Sequence, residues 1–394
     1  MKPEPYRNLW LATIGFAVAF AAWGVVSGLA PMLKAKLGLS ATATSLMIAI
    51  PVLLGSLGRI PMGLLADRFG GRAVFSALLL FGVIPPLALS VSGTYSGLVF
   101  WGFLLGFAGT SFAVGVAFVA RWFPPERQGT ALGIYGVGNI GQSISVFFGP
   151  WLARQIGIPA TFAIFGIASM VWGLIFAIWA RDARRTAPPR AMKEEIRVLV
   201  TEPQCWALSH FYFLTFGGFV ALGIYLPTLL RELFSLTPED AGARTAGFIV
   251  LATACRPLGG WIGDRIGGQF VLRYAFWGIA LLAWLMALPS IYPFTVGALG
   301  CAALLGVGNG SVFKLVPHYF PIHTGAVTGL VGAVGGLGGF FPPLVLGVLK
   351  DATGSYAPGF VLLSLFAIGC YAVLRMAFLH TPGPALVERA GGRA

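Results

Sequence analysis

The chain has 394 residues, 57% of them hydrophobic and 10% charged, with a net charge of +13 and a mean hydropathy of +0.85. Soluble domains carry about 25% charged residues, so this composition excludes a soluble globular protein and reads as an all-α polytopic membrane protein. The positive charge alone would suggest nucleic acid, but it is sorted by segment rather than gathered in one patch.

Twelve apolar stretches are each about as long as the ~20 residues needed to cross ~30 Å of hydrocarbon. They fall at 9–31, 43–66, 73–92, 95–120, 127–151, 159–181, 205–230, 243–263, 270–290, 292–317, 324–349 and 356–380. The first is too long for the apolar core of a signal peptide and lacks a clear small-residue cleavage site, so no processed leader is expected. With the N-terminus inside, seventeen of the 26 Lys and Arg fall in cytoplasmic segments and six in outer loops (Lys34, Lys36, Arg154, Arg231, Arg244, Lys350). That bias predicts a multi-pass protein of the cytoplasmic (inner) membrane with both termini in the cytoplasm. The remaining three, Arg59, Arg256 and Lys314, lie inside spans.

The second span holds Arg59 and runs into Gly63-Leu-Leu-Ala-Asp67-Arg68-Phe-Gly70-Gly71-Arg72. All thirteen Asp and Glu fall outside the predicted cores, so Arg59 has no acidic neighbour in sequence. A charge at membrane depth costs about 2.5–3.5 kcal/mol on insertion scales. An unpaired cation there makes an anion the natural missing partner. The fifth span carries Gly133-Ile-Tyr-Gly136-Val-Gly138-Asn139-Ile-Gly141-Gln142. Glycines at that density let helices approach closely, and Asn139 adds an amide able to donate to an anion. Packing alone is the competing reading of the glycines.

Ala180–Glu202 is the longest polar segment, and residues 182–203 read as a cytoplasmic linker, with a short amphipathic helix near 192–200. It divides an N-terminal six-span half (1–181) from a C-terminal one (204–394). The eighth span holds Arg256, and Gly260-Trp-Ile-Gly-Asp264-Arg265-Ile-Gly267-Gly268 follows. The tenth ends in Asn309-Gly310-Ser-Val-Phe313-Lys314, and the eleventh carries Gly329, Gly332, Gly335, Gly336, Gly338 and Gly339. The four cysteines all fall in predicted spans and make neither a disulfide framework nor a metal spacing. Neither a metal nor a cofactor is expected. The histidines are weak candidates: His318 and His323 sit at a predicted loop, His380 near the end, and His210 at the start of span seven.

Asp264 follows Asp67 by 197 residues; so does Arg256 follow Arg59, and Phe320-Pro321 follow Phe123-Pro124. Several landmarks at one offset indicate a duplication in parallel orientation, with a central site between the copies. Each arginine precedes its aspartate by eight residues, about 12 Å of helix, which places both near mid-membrane. Guanidinium forks suit planar oxyanions. The competing reading has each arginine bonding backbone carbonyls.

The Gly63–Arg72 stretch, its partial copy and the 6+6 span arrangement resemble the major facilitator superfamily over essentially the whole chain. That resemblance implies rocker-switch transport, with Asp67, Arg68, Asp264 and Arg265 in a cytoplasmic gate. The paired glycine runs (Gly133, Gly136, Gly138, Gly141; Gly332, Gly335, Gly336, Gly338) further resemble the nitrate signatures of the NarK-like nitrate/nitrite porters. On that resemblance Arg59 and Arg256 are the substrate arginines and Asn139 the signature asparagine. Tyr212 is a substrate hydrogen-bond donor, Phe112 and Phe313 stack on the anion, and Phe216 flanks the same cavity. Gly336 stands where a second amide would repeat.

Lys314 resembles the branch linked to proton-coupled uptake. A lysine desolvated beside two arginines gives up its proton readily, and an entering anion would draw one in. The competing reading is a lysine reaching the cytoplasmic face. The expectation is a monomeric transporter of nitrate and nitrite for nitrate assimilation, with protons as coupling ion and lipids around it. Nitrate/nitrite antiport is the close alternative, and an oxalate/formate-type carboxylate antiporter the more distant one. No His/Asp/Cys constellation in the spans suggests an enzyme.

Overall fold

A computed structural model describes residues 4–183, 192–320 and 323–379 of the chain. The membrane helices are α1 (Glu4–Leu37), α2 (Ala41–Leu57 continued by Arg59–Phe69), α3 (Gly71–Val91), α4 (Tyr95–Ala120), α5 (Pro125–Gly136 continued to Ile156) and α6 (Ile158–Trp179). After a linker helix, Met192–Thr201, come α7 (Pro203–Phe234), α8 (Pro238–Ile266), α9 (Gly268–Met286), α10 (Ile291–Tyr319), α11 (Thr324–Leu337 and Phe341–Thr353) and α12 (Ala357–Phe378). Among the described residues, eleven helices are long and apolar enough to cross a membrane, and Ala41–Leu57 is a shorter one. Pro321, His380 and residues 184–191 of the linker lie outside the described residues.

The duplication is written in the backbone. Gly70 (φ 95°) ends α2 and Gly267 (φ 89°) ends α8; Gly157 (φ 86°) follows α5 and Gly354 (φ 73°) follows α11. Each pair is 197 apart, and each position demands a left-handed turn that glycine takes without a Cβ penalty. The helix starts match as well. Ser40 Oγ accepts from Ala43 N at 3.1 Å, and Thr237 Oγ1, again 197 residues on, accepts from Asp240 N at 3.2 Å. Two pseudo-symmetric six-helix bundles result.

The bundles meet at the end away from the Asp67 and Asp264 loops, where α1 packs on α7, α2 on α11 and α5 on α8. Ser27 Oγ donates to the Ile224 carbonyl at 2.5 Å, and Lys34 Nζ pairs with Glu232 at 2.5 Å. Tyr356 OH donates to the other Glu232 oxygen at 2.7 Å. Asp351 accepts from the backbone N–H groups of Ala41 (3.1 Å) and Thr42 (2.8 Å) at the start of α2. At the loop end, by contrast, Arg72 bonds Ala177 in its own half and Asp182 at the start of the linker, and Lys314 pairs with Asp264 in its own half.

The helices around the bundle centre are interrupted. α2 breaks at Gly58, directly before Arg59; α4 tightens to a 3₁₀ turn at Gly106–Thr110, and α5 at Val137–Ile140. α7 widens to a π turn at Phe213–Gly217. Such irregular backbone is tolerated at membrane depth where it is buried in protein or lines a cavity, and π turns often mark functional sites.

Candidate functional site

These interruptions carry the side chains singled out from the sequence. Arg59 opens the second segment of α2, Phe112 follows the 3₁₀ turn of α4, Asn139 lies in that of α5, and Phe216 lies in the π turn of α7. Arg59 is 8% exposed. Its guanidinium lies 5.4 Å from the Phe112 ring centre and 5.3 Å from that of Phe216. The Arg256 guanidinium, from the other half, lies 5.3 Å from the same Phe216 ring and 5.1 Å from Phe219. The two arginines therefore share one ring, and twice 5.3 Å, or 10.6 Å, is the upper limit on their separation. Cation–π contact offsets part of the burial of each charge.

Neither arginine pairs with a carboxylate among the described residues. Arg59 Nη1 donates to the Gly332 carbonyl at 2.7 Å, across the boundary between halves. The carbonyl-bonding alternative is thus realised for one nitrogen of Arg59. Arg59 Nε, Arg256 Nε and Arg256 Nη2 are buried without a partner. Buried donors left unpaired are costly and rare, so these three N–H groups point to an acceptor that binds between the halves.

Tyr212 supports the same centre. It is 1% exposed and stacks on Phe216 with ring centres 5.0 Å apart and planes 3° apart. Phe313 meets it edge-on at 4.7 Å. The Tyr212 hydroxyl makes no hydrogen bond among the described residues. Asn139 is turned toward its own helix: Nδ2 donates to the Gly136 carbonyl at 2.7 Å, while Oδ1 is buried and unpartnered. A narrow cleft runs along Phe20, Trp23, Ser56, Arg59, Phe216 and Gly336.

The signature glycines divide into two groups. A Cβ on Gly335 would come within 2.1 Å of Tyr212 Cδ1, and one on Gly141 within 1.8 Å of the Ala17 carbonyl oxygen. Gly138, Gly336 and Gly338 are similarly close-packed, whereas Gly133 and Gly136 face open space and Gly332 has only Arg59 Nη1 within 3.9 Å.

The family model of the Major Facilitator Superfamily matches residues 12–343 and 212–393. The nitrite extrusion protein of Bacillus subtilis (strain 168) is 39% identical over 375 residues, which cover 95% of each chain. The chain belongs to the NarK-like nitrate/nitrite porters of the major facilitator superfamily. A probable nitrate/nitrite transporter NarK2 of Mycobacterium tuberculosis is 41% identical over 92% of this chain and 93% of its own. Among solved structures, a bacterial homologue of the human lysosomal transporter Spinster, inward-facing and unoccupied, superposes with a TM-score of 0.78 at 17% identity, covering 96% of this chain and 97% of its own. That likeness supports the fold. The relatives are transporters, and this porter is not an enzyme.

One residue of the porter stands elsewhere than its sequence suggests. Lys314 does not lie buried beside the arginines; it is exposed and ion-paired with Asp264 at the loop end. The reason is helical phase: Phe313 turns inward to Tyr212, and the next residue, about 100° further round, faces α8 and its terminal loop. Arg265 packs its guanidinium 3.9 Å over Trp261, and Arg68 lies 5.4 Å over Phe69. The Asp67 side chain lies outside the described residues. Cys205, Cys301 and Cys370 are buried, and Cys255 is half-buried. His210 packs against Phe366, ring centres 4.7 Å apart.

Sequence reasoning passed over several residues of the centre. Phe20 and Trp23, one turn apart on α1, line the cleft. Tyr135 stacks on Phe16 at 4.9 Å and donates to the Ser111 carbonyl at 2.7 Å, bracing Phe112. Their only signal was an aromatic pair at helical spacing and a tyrosine within a glycine run.

Proposed function

We propose that this porter carries nitrate, and also nitrite, across the cytoplasmic membrane by alternating access. The observation that carries this reading is the pair Arg59 and Arg256 over one ring, with three buried N–H groups lacking acceptors. A planar monoanion fits them: its in-plane oxygens accept from the guanidinium forks and from Tyr212 OH, while its faces lie against the aromatic rings of Phe216, Phe112 and Phe313. Asn139 retains a second amide hydrogen beyond the one given to Gly136. The similarity to relatives named for nitrate and nitrite supports the substrate class.

In this reading the halves 1–181 and 204–394 rock as units about the linker. The sealed end of Lys34, Glu232, Tyr356 and Asp351 faces outward. Asp67, Arg68, Asp264 and Arg265 form the cytoplasmic gate, and both termini are cytoplasmic. For coupling, anion exchange is the reading the geometry supports best, because no described carboxylate or histidine bonds the arginines and Lys314 is engaged with Asp264. Proton symport through Lys314 requires that pair to open and the lysine to turn toward the centre.

The test is nitrate uptake into proteoliposomes, with or without trapped nitrite and with or without an inward proton gradient. Exchange predicts uptake that needs internal nitrite and ignores the gradient. Uptake driven by the gradient alone, and lost in Lys314→Gln, would establish symport instead. Absence of any nitrate flux would refute the substrate assignment.

A further inference from the structure

The second half carries no asparagine at Gly336, yet an amide reaches the same region from another helix. Asn309 on α10 is 2% exposed, and neither its Nδ2 nor its Oδ1 has a hydrogen-bond partner among the described residues. Its neighbours fix its direction. A Cβ on Gly308 would meet Thr215 Cγ2 of α7 at 2.6 Å, and a Cβ on Gly310 would meet the Arg256 carbonyl oxygen of α8 at 2.1 Å. Successive helical residues are turned by about 100°. Asn309 therefore aims into the wedge between α7 and α8. Phe313, one turn on and on the same face, points there too, with its edge on Tyr212.

That wedge is where Phe216 lies against Arg256, whose Nε and Nη2 have no acceptor. Asn309 and Arg256 do not bond each other, although one offers a free carbonyl and the other free N–H groups. A residue needed only for packing would be leucine, which has the same size without the desolvation cost. Resting on the anion-carrier reading above, we propose that Asn309 is a further substrate-binding residue, its Nδ2 donating to the anion held by Arg256. It does for the second half what Asn139 does for the first, supplied from α10 instead of α11.

Isothermal titration of the purified full chain with potassium nitrate, in gluconate buffer, tests the assignment together with thermal melting in the absence of nitrate. Asn309→Leu removes the donor at constant size. It is expected to weaken nitrate binding at least about tenfold, as loss of a hydrogen bond to a charged group does, without lowering the unliganded melting temperature. Should the leucine variant fail to fold, Asn309→Asp keeps size and polarity while replacing the donor, and is expected to abolish nitrate binding. Unchanged affinity in either variant overturns the assignment of Asn309 alone. Loss of affinity in Asn309→Leu accompanied by a lower melting temperature assigns a structural role and also overturns it. No nitrate binding by the unmodified protein overturns both this assignment and the carrier reading.

Discussion

Replacing Arg256 by glutamine removes one of two buried positive charges while leaving an uncharged side chain of comparable reach. An anion midway between the guanidiniums sits no more than 5.3 Å from each. At an effective dielectric near 20, one such contact is worth about 3 kcal/mol, so the variant should bind nitrate on the order of 200-fold more weakly. The repulsion between the arginines, at least about 1.6 kcal/mol at that dielectric, is present with and without the anion. It cancels from the affinity but not from the stability of the empty protein. Arg256→Gln should therefore raise the unliganded melting temperature while binding is lost. Titration calorimetry and melting of the detergent-purified protein measure the two quantities on one sample. A loss below tenfold, with a lower melting temperature, would mean that Arg256 is held in place for packing and would refute the two-cation site.

Phe216→Leu deprives both guanidiniums of their common ring; at about 0.5–2 kcal/mol per contact, nitrate affinity should fall roughly tenfold, and titration should show Phe216→Tyr losing far less. Gly335→Ala forces a Cβ to 2.1 Å from Tyr212 and should cost about 1–3 kcal/mol of stability, visible as a lower melting temperature. Gly133→Ala in the companion run, with nothing within 4 Å, should melt no lower than the parent. Glu232→Gln weakens the junction of Lys34 and Tyr356 and should loosen the sealed end. A cysteine placed at Thr228 in a cysteine-free background should then be alkylated several-fold faster, and an unchanged rate would count against a latch there. Asp264→Asn and Lys314→Gln break one ion pair from its two sides, so their effects on uptake should be alike and non-additive in the double variant.

The features legible in advance were those that violate composition. Arg59 and Arg256 stand out because a cation in an apolar run has no neutral explanation, and the duplication because Asp67, Asp264 and their flanking glycines repeat at one offset. Phe216 was different. The family resemblance set it beside the cavity, but one phenylalanine among 32 has no residue pattern of its own, and its place between two guanidiniums depends on a π turn that no local propensity announces. Lys314 misled because the resemblance and its position inside a predicted span suggested burial beside the arginines, whereas it lies about 100° round the helix from the inward Phe313. Its partner Asp264 lies 50 residues away in the chain. Asn139 was found as a polar exception, but its bond to its own Gly136 carbonyl belongs to the 3₁₀ turn and not to the residue type. Asn309 went unused because symmetry directed attention to Gly336 on α11.

The π turn at Phe213–Gly217 has a further consequence. It inserts the equivalent of one residue into α7 between Tyr212, at the centre, and Tyr225 and Glu232, at the sealed end. Shortening the bulge by one residue would restore regular winding, but it would also rotate one stretch against the other by about 100°. Either Tyr212 would leave its place against Phe313 and Gly335 or the glutamate would leave Lys34. The wide turn thus acts as a phase adjuster on a single helix, letting two sets of side chains that answer to different neighbours keep their aim at once.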